Sequence, residues 1–134
     1  MGARGTSKWL NPAESQRTLS TEIVTEIQTE GQWQNTLKSS REEEKGLLVQ
    51  FTAVWCPPCR MIAPIVSKLA DENAKHVRFV KIDIDNKEMA GVVMNHNVSS
   101  VPTFVGYSKT GSMVHAFSGA DKNKLEQTVA EIAQ

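Results

Sequence analysis

Hydrophobic positions along the chain switch between two periods. Gly46-Leu-Leu-Val-Gln-Phe-Thr-Ala53 is apolar almost throughout, the pattern of a strand covered on both faces. Glu22-Ile-Val-Thr-Glu-Ile27 and Val77 to Ile84 read as two further strands. Between them the spacing becomes helical. Trp33 and Leu37 lie one turn apart in a segment from Trp33 to Lys38. From Pro58 to Asp71, residues Met61, Ile62, Ile65, Val66 and Leu69 fall on one stripe, with Pro64 expected to kink the helix. Lys87 to about His96 reads as a third helix. Thr103 to Tyr107 and Met113 to Phe117 read as a hairpin around Ser108-Lys-Thr-Gly111. Asp121 is placed to cap a last helix whose Leu125, Val129 and Ile132 face inward. The predicted order is β-α-β-α-β-α-β-β-α, an α/β layered domain with helices covering a mixed sheet.

Residues 1–20 break this pattern. They are rich in Gly, Ser, Thr, Pro and Asn without periodicity and read as a flexible arm, with Trp9 and Leu10 as its candidate anchors, ahead of a domain spanning 21–134. A chain of 134 residues holds one ordinary domain and is too short for two. Its 15 basic and 15 acidic residues cancel, so neither a nucleic-acid footprint nor a funnel for acidic substrates is expected. The run Arg41-Glu-Glu-Glu-Lys45 mixes signs and reads as a solvated helix end or loop. No apolar stretch approaches the length of a bilayer span, and the first residues lack the apolar block of a secretory signal, so a soluble, cytoplasmic protein is expected. Met1-Gly2-Ala3-Arg4-Gly5-Thr6 also fits the N-myristoylation pattern; an acyl chain on Gly2 would hold the protein at a membrane weakly and reversibly.

The candidate chemistry lies in Cys56-Pro-Pro-Cys59, which holds both cysteines of the chain. The spacing suits a metal pair, a structural disulfide or a redox couple. A closed zinc site needs four ligands; two cysteines supply half, and His76, His96 and His115 are widely spread and read as surface or loop residues. In a reducing compartment a lone close pair serves catalysis or metal binding more often than a static staple. A redox couple needs one accessible, readily ionised thiol and a second close enough to resolve a mixed disulfide. A strand, then Cys56, then an amphipathic helix with Cys59 one turn in provides both. Unpaired N–H groups at a helix start favour a thiolate, and each pKa unit of depression corresponds to about 1.4 kcal/mol.

These residues resemble the thioredoxin family. Trp55-Cys-Pro-Pro-Cys59 is similar to its Trp-Cys-x-Pro-Cys active site, and Arg60-Met-Ile-Ala-Pro64 to the helix that follows. Phe79-Val-Lys-Ile-Asp83 is similar to its third strand, Val101-Pro102-Thr103 to its cis-proline loop, and Gly119-Ala120 to the turn near its active site. The resemblance covers roughly Glu22 to Ile132 and implies a thioredoxin fold, a central mixed five-stranded sheet flanked by four helices. It implies a protein-disulfide reductase with Cys56 as nucleophile, Cys59 as resolving thiol and no bound cofactor. Trp55, Val101, Pro102, Gly119 and Ala120 would form a shallow apolar groove in which a substrate segment pairs with the backbone of Val101 as an added strand. The implied partners are disulfide-containing proteins and an electron donor, either thioredoxin reductase or a glutathione/glutaredoxin route.

Two positions depart from the family pattern. Gln50 stands where a buried aspartate is usual, and an amide cannot accept a proton in the working pH range. Lys81, which matches the family's buried lysine, then lacks its usual carboxylate, so Cys59 would be activated through water, Lys81 or Cys56, with slower exchange near neutral pH. Pro57 replaces the usual glycine ahead of Pro58, stiffening the loop and deleting an N–H that could face the Cys56 sulfur. Trp-Cys-Pro-Pro-Cys also occurs in tryparedoxins and nucleoredoxins, but the interval from Cys59 to Pro102 carries no insertion of their kind. The rival from another class is a redox-sensitive binding module with slow turnover, for which Gln50 is the main support.

Overall fold

A computed structural model of the chain describes residues 23–134. The expected arm over residues 1–20, its anchors Trp9 and Leu10, the acylation candidate Gly2 and the strand residue Glu22 lie outside the described residues. In chain order the elements are β1 (Val24–Glu26), α1 (Glu30–Glu42), β2 (Gly46–Thr52), α2 (Pro57–Glu72), β3 (Val77–Asp83), a 3-10 turn (Lys87–Met89), α3 (Ala90–Asn95), β4 (Thr103–Tyr107), β5 (Met113–Ser118) and α4 (Lys122–Ile132). The sheet runs β1-β3-β2-β4-β5, with β1 and β2 parallel to β3, and β4 antiparallel to both β2 and β5.

The pleat of β2 divides the core. Leu47, Val49 and Phe51 point to one face and pack with Trp33 of α1, Met89 and Val92. Leu48 points to the other, where Ile62, Val66 and Leu69 of α2 and Leu125, Val129 and Ile132 of α4 cover it. Burying one such aliphatic or aromatic side chain stabilises the fold by about 1.5–3 kcal/mol, which accounts for the near-continuous apolar run of β2. Gln50 lies on the Leu48 face, one pleat nearer the strand's C-terminal end, so the polar exception in the run is turned toward α2.

Helix starts follow their caps. The Thr29 hydroxyl accepts from the Gln32 N–H at 3.1 Å, and Asp121 accepts from the Lys124 N–H at 3.0 Å. Gly46 is required by packing, because a Cβ there would overlap the backbone carbonyl of Ile132.

The expected α2 stripe needs one correction. Ile62, Val66 and Leu69 are buried, but Met61 is 74% exposed. It precedes Ile62 by about 100° of helix rotation and falls off the covered arc. Of the three histidines, His96 also needs correction. His76 is exposed, whereas His96 is half-buried against Trp33, Phe51 and Tyr107, and His115 lies on β5 paired with Glu131 of α4.

Candidate active site

Parallel β2 delivers its C-terminal end into a short turn, closed by the Cys56 N–H donating to the Ala53 carbonyl at 3.3 Å, and α2 starts at once. Cys56 is the N-cap of α2, and Pro57 and Pro58 occupy the first two helical positions. Proline suits this place, since N–H groups there have no helical partner and its φ is already helical. The consequence for sulfur is specific. With neither proline supplying a donor, the Cys59 N–H reaches the Cys56 Sγ, at 3.2 Å.

Cys56 and Cys59 are joined as a disulfide, with Cα atoms 5.3 Å apart. In this oxidised state Cys56 is 1% and Cys59 4% exposed. The expected accessible sulfur is therefore not present in the disulfide form: bonded to its partner, Cys56 packs with Ala53, Cys59, Ile84 and Val101. Among the described residues no group of three or more Cys, His, Asp or Glu could hold a metal ion.

The structure brings part of the expected groove to the sulfurs. The Val101 carbonyl lies 3.7 Å from Cys56 Sγ, and the Val101–Pro102 peptide bond is cis. Gly119, at φ +100°, donates its N–H to the Pro102 carbonyl at 2.8 Å, so the β5–α4 turn is fastened to the cis-proline loop. Ala120 follows and is exposed. Trp55 is 60% exposed, and its indole N–H donates to the Asp85 carboxylate at 2.7 Å.

Gln50 and Lys81 stand together on the opposite side of the pair, lining a cleft of about 360 Å³ with Cys59, Arg60, Thr52 and Asp83. Gln50 is 5% exposed; Lys81, beside it in register, is half-buried. Asp85 and Asp83 were not singled out by sequence reasoning. Both enter the site from the end of β3, about thirty positions from the motif, and only their place at and just after the end of the strand Phe79-Val-Lys-Ile-Asp83 offered a signal.

The thioredoxin family model matches residues 24–131. The chain is 41% identical to a Brassica oleracea protein named thioredoxin H-type over 102 residues, 76% of this chain and 80% of that one. It is 38% identical to Arabidopsis thaliana thioredoxin H2 over 109 residues, 81% of this chain and 79% of that one. Among solved structures, a thioredoxin from Nicotiana alata superimposes with a TM-score of 0.75 at 31% identity, covering 84% of this chain and 94% of that one. Thioredoxin of Fasciola hepatica superimposes with a TM-score of 0.72 at 35% identity, covering 81% and 99%.

Proposed function

The chain belongs to the thioredoxin family and is a thiol–disulfide oxidoreductase, and from that premise we propose that it reduces protein disulfides with Cys56 as attacking and Cys59 as resolving sulfur. The observation that carries the assignment of roles is the placing of Cys56 as the cap of α2, its sulfur accepting the Cys59 N–H. Of the two sulfurs, the one at the helix start is the one that backbone donors and the helix dipole stabilise as a thiolate. Reduced Cys56 attacks one sulfur of the target disulfide and forms a mixed disulfide with it, while the other target sulfur leaves as a thiolate. Cys59 then attacks Cys56 in the mixed disulfide, the second target sulfur departs, and the pair becomes the disulfide seen here. Two electrons pass to the target, and a reductase returns them.

Val101, Pro102, Gly119, Ala120 and Trp55 form the substrate groove, with a target segment running along the backbone of Val101. The contact of the Val101 carbonyl with the Cys56 sulfur and the Gly119–Pro102 hydrogen bond support that reading. The catalytic domain comprises residues 21–134 and the arm residues 1–20, in keeping with a family match over 24–131. Thioredoxin reductase is the donor and the cytoplasm the working compartment. Among the described residues no helix is long and apolar enough to cross a membrane.

Reduction of insulin disulfides with NADPH and thioredoxin reductase tests this function. Sustained turnover is expected, below that of a thioredoxin with aspartate at the position of Gln50. Turnover supported only by glutathione and glutaredoxin reassigns the donor, and near-absent turnover with both favours the slow binding module.

A further inference from the structure

The resolving step needs somewhere for the Cys59 proton to go. Gln50 cannot take it, and its own environment indicates what stands in. Paired residues of neighbouring strands share a face, so Glu26, Lys81 and Gln50 form one row across β1, β3 and β2, and Asp83 and Thr52 form the next row toward the sulfurs. All five line the cleft that also exposes Cys59, Arg60 and Ser67. Gln50 is 5% exposed, and among the described residues no hydrogen bond reaches its side-chain amide. A buried amide with this much adjoining room is satisfied by water, and about 360 Å³ holds several molecules.

The charged groups facing this water are Glu26 from β1, Lys81 and Asp83 from β3, and Arg60 from α2. Arg60 is turned to the Val54 carbonyl at 2.9 Å, and a lysine ammonium has no acceptor. Two carboxylates remain. Glu26 is exposed at the edge strand, one row farther from the cysteines. Asp83 is half-buried and lies beside Thr52, after which the chain turns into Ala53 and the motif. One of its oxygens, Oδ1, accepts the Asp85 N–H at 2.9 Å.

Resting on the reading of Cys59 as the resolving thiol, we infer that Asp83 is the proton acceptor for that step, acting through water that Gln50 holds in the cleft. The Cys59 thiol gives its proton through that water to the Asp83 carboxylate. The thiolate attacks Cys56 Sγ, the Cys56–Cys59 bond forms, and the bond from Cys56 to the target breaks. The target leaves as a thiolate and takes up a proton. The carboxylate has moved one strand over from position 50, with Gln50 as the positioning residue.

The reaction of the reduced protein with 5,5′-dithiobis(2-nitrobenzoate), followed by stopped flow, separates the steps. The first nitrothiobenzoate is released by Cys56, the second by Cys59. Asp83→Asn keeps an acceptor for the Asp85 N–H but cannot hold a proton. It is expected to leave the first release unchanged and to slow the second at least about tenfold near neutral pH. Assisted resolution depends weakly on pH once the base is ionised, whereas in the variant the second release should climb about tenfold per unit, following the thiolate fraction of Cys59. Glu26→Gln should leave both releases and their pH profiles unchanged. A second release in Asp83→Asn with wild-type rate and pH profile overturns the inference, as does equal slowing of both releases or a slowed second release in Glu26→Gln. Absence of a first release from the wild-type protein instead removes the assignment of Cys56 as nucleophile.

Discussion

The indole N–H of Trp55 donates to Oδ2 of Asp85 at 2.7 Å, tying the residue before Cys56 to the loop after β3 across 30 positions of chain. The ring is 60% exposed, so the bond contributes little to the core and instead holds a broad apolar surface upright beside the sulfurs. Asp85→Ala should change folding stability by no more than about 1 kcal/mol. Its kcat/KM toward a folded protein disulfide should fall roughly fivefold, the equivalent of about 1 kcal/mol, while a small aromatic disulfide is reduced at the wild-type rate. Steady-state assays with both substrates check this; equal losses on both would show that the carboxylate acts on the sulfurs rather than on the groove.

The Gly119–Pro102 hydrogen bond rests on a backbone conformation. Gly119 has φ +100°, and a Cβ there would meet nothing within 4 Å. The cost of a side chain is therefore conformational and not steric, about 1–2 kcal/mol. Gly119→Ala should lower stability by that amount in urea titration with an unchanged m-value. A neutral substitution would show that the turn is not held at positive φ.

Tyr107 sets a pH dependence on the face away from the cysteines. A carbonyl only accepts, so the contact of His96 Nδ1 with the Val92 carbonyl at 2.8 Å places a hydrogen on Nδ1, and the neutral ring accepts the Tyr107 hydroxyl at Nε2, 2.6 Å away. Burial pushes the Tyr107 phenol above its ordinary value of 10.0. The unfolded chain therefore loses this proton first. The stabilisation is complete below pH 10.0 and drains as pH rises through the folded value. Tyr107→Phe should cost about 1–2 kcal/mol at neutral pH, from the unpaired ring nitrogen, and flatten the fall in stability above about pH 10. Urea midpoints measured across that range decide; an equal slope in both proteins would assign the alkaline loss elsewhere.

A carboxylate at position 50 would take the Cys59 proton directly rather than through water. Gln50→Asp would return an ionisable oxygen to a buried position beside Lys81. Disulfide reduction near pH 7 should then rise about tenfold and its pH profile change shape, at a stability cost of about 1–3 kcal/mol for taking a carboxylate out of bulk water. An unchanged profile would contradict the view that the amide limits exchange.

Much of this was legible in the chain. The five strands and four helices followed from periodicity and caps, because β2 is buried on both faces and Asp121 sits directly before α4. The cysteine pair was legible because a strand, a cysteine and an amphipathic helix adjoin in sequence. What the sequence hid are contacts between distant elements. Asp85 meets Trp55, and Asp83 meets the cleft, only once β3 lies beside β2. Met61 looked like a core residue because a stripe drawn from helical spacing is wider than the arc that the sheet covers. His96 looked like a loop residue because no local pattern reveals Trp33, Phe51 and Tyr107 converging on it.

The division of labour between the two sulfurs is tested most directly by trapping. Cys59→Ser, reduced and mixed with a disulfide-bonded protein, should accumulate a covalent complex through Cys56, seen by non-reducing electrophoresis and intact mass, while Cys56→Ser forms none. A complex formed by Cys56→Ser and not by Cys59→Ser would reverse the roles and contradict the account.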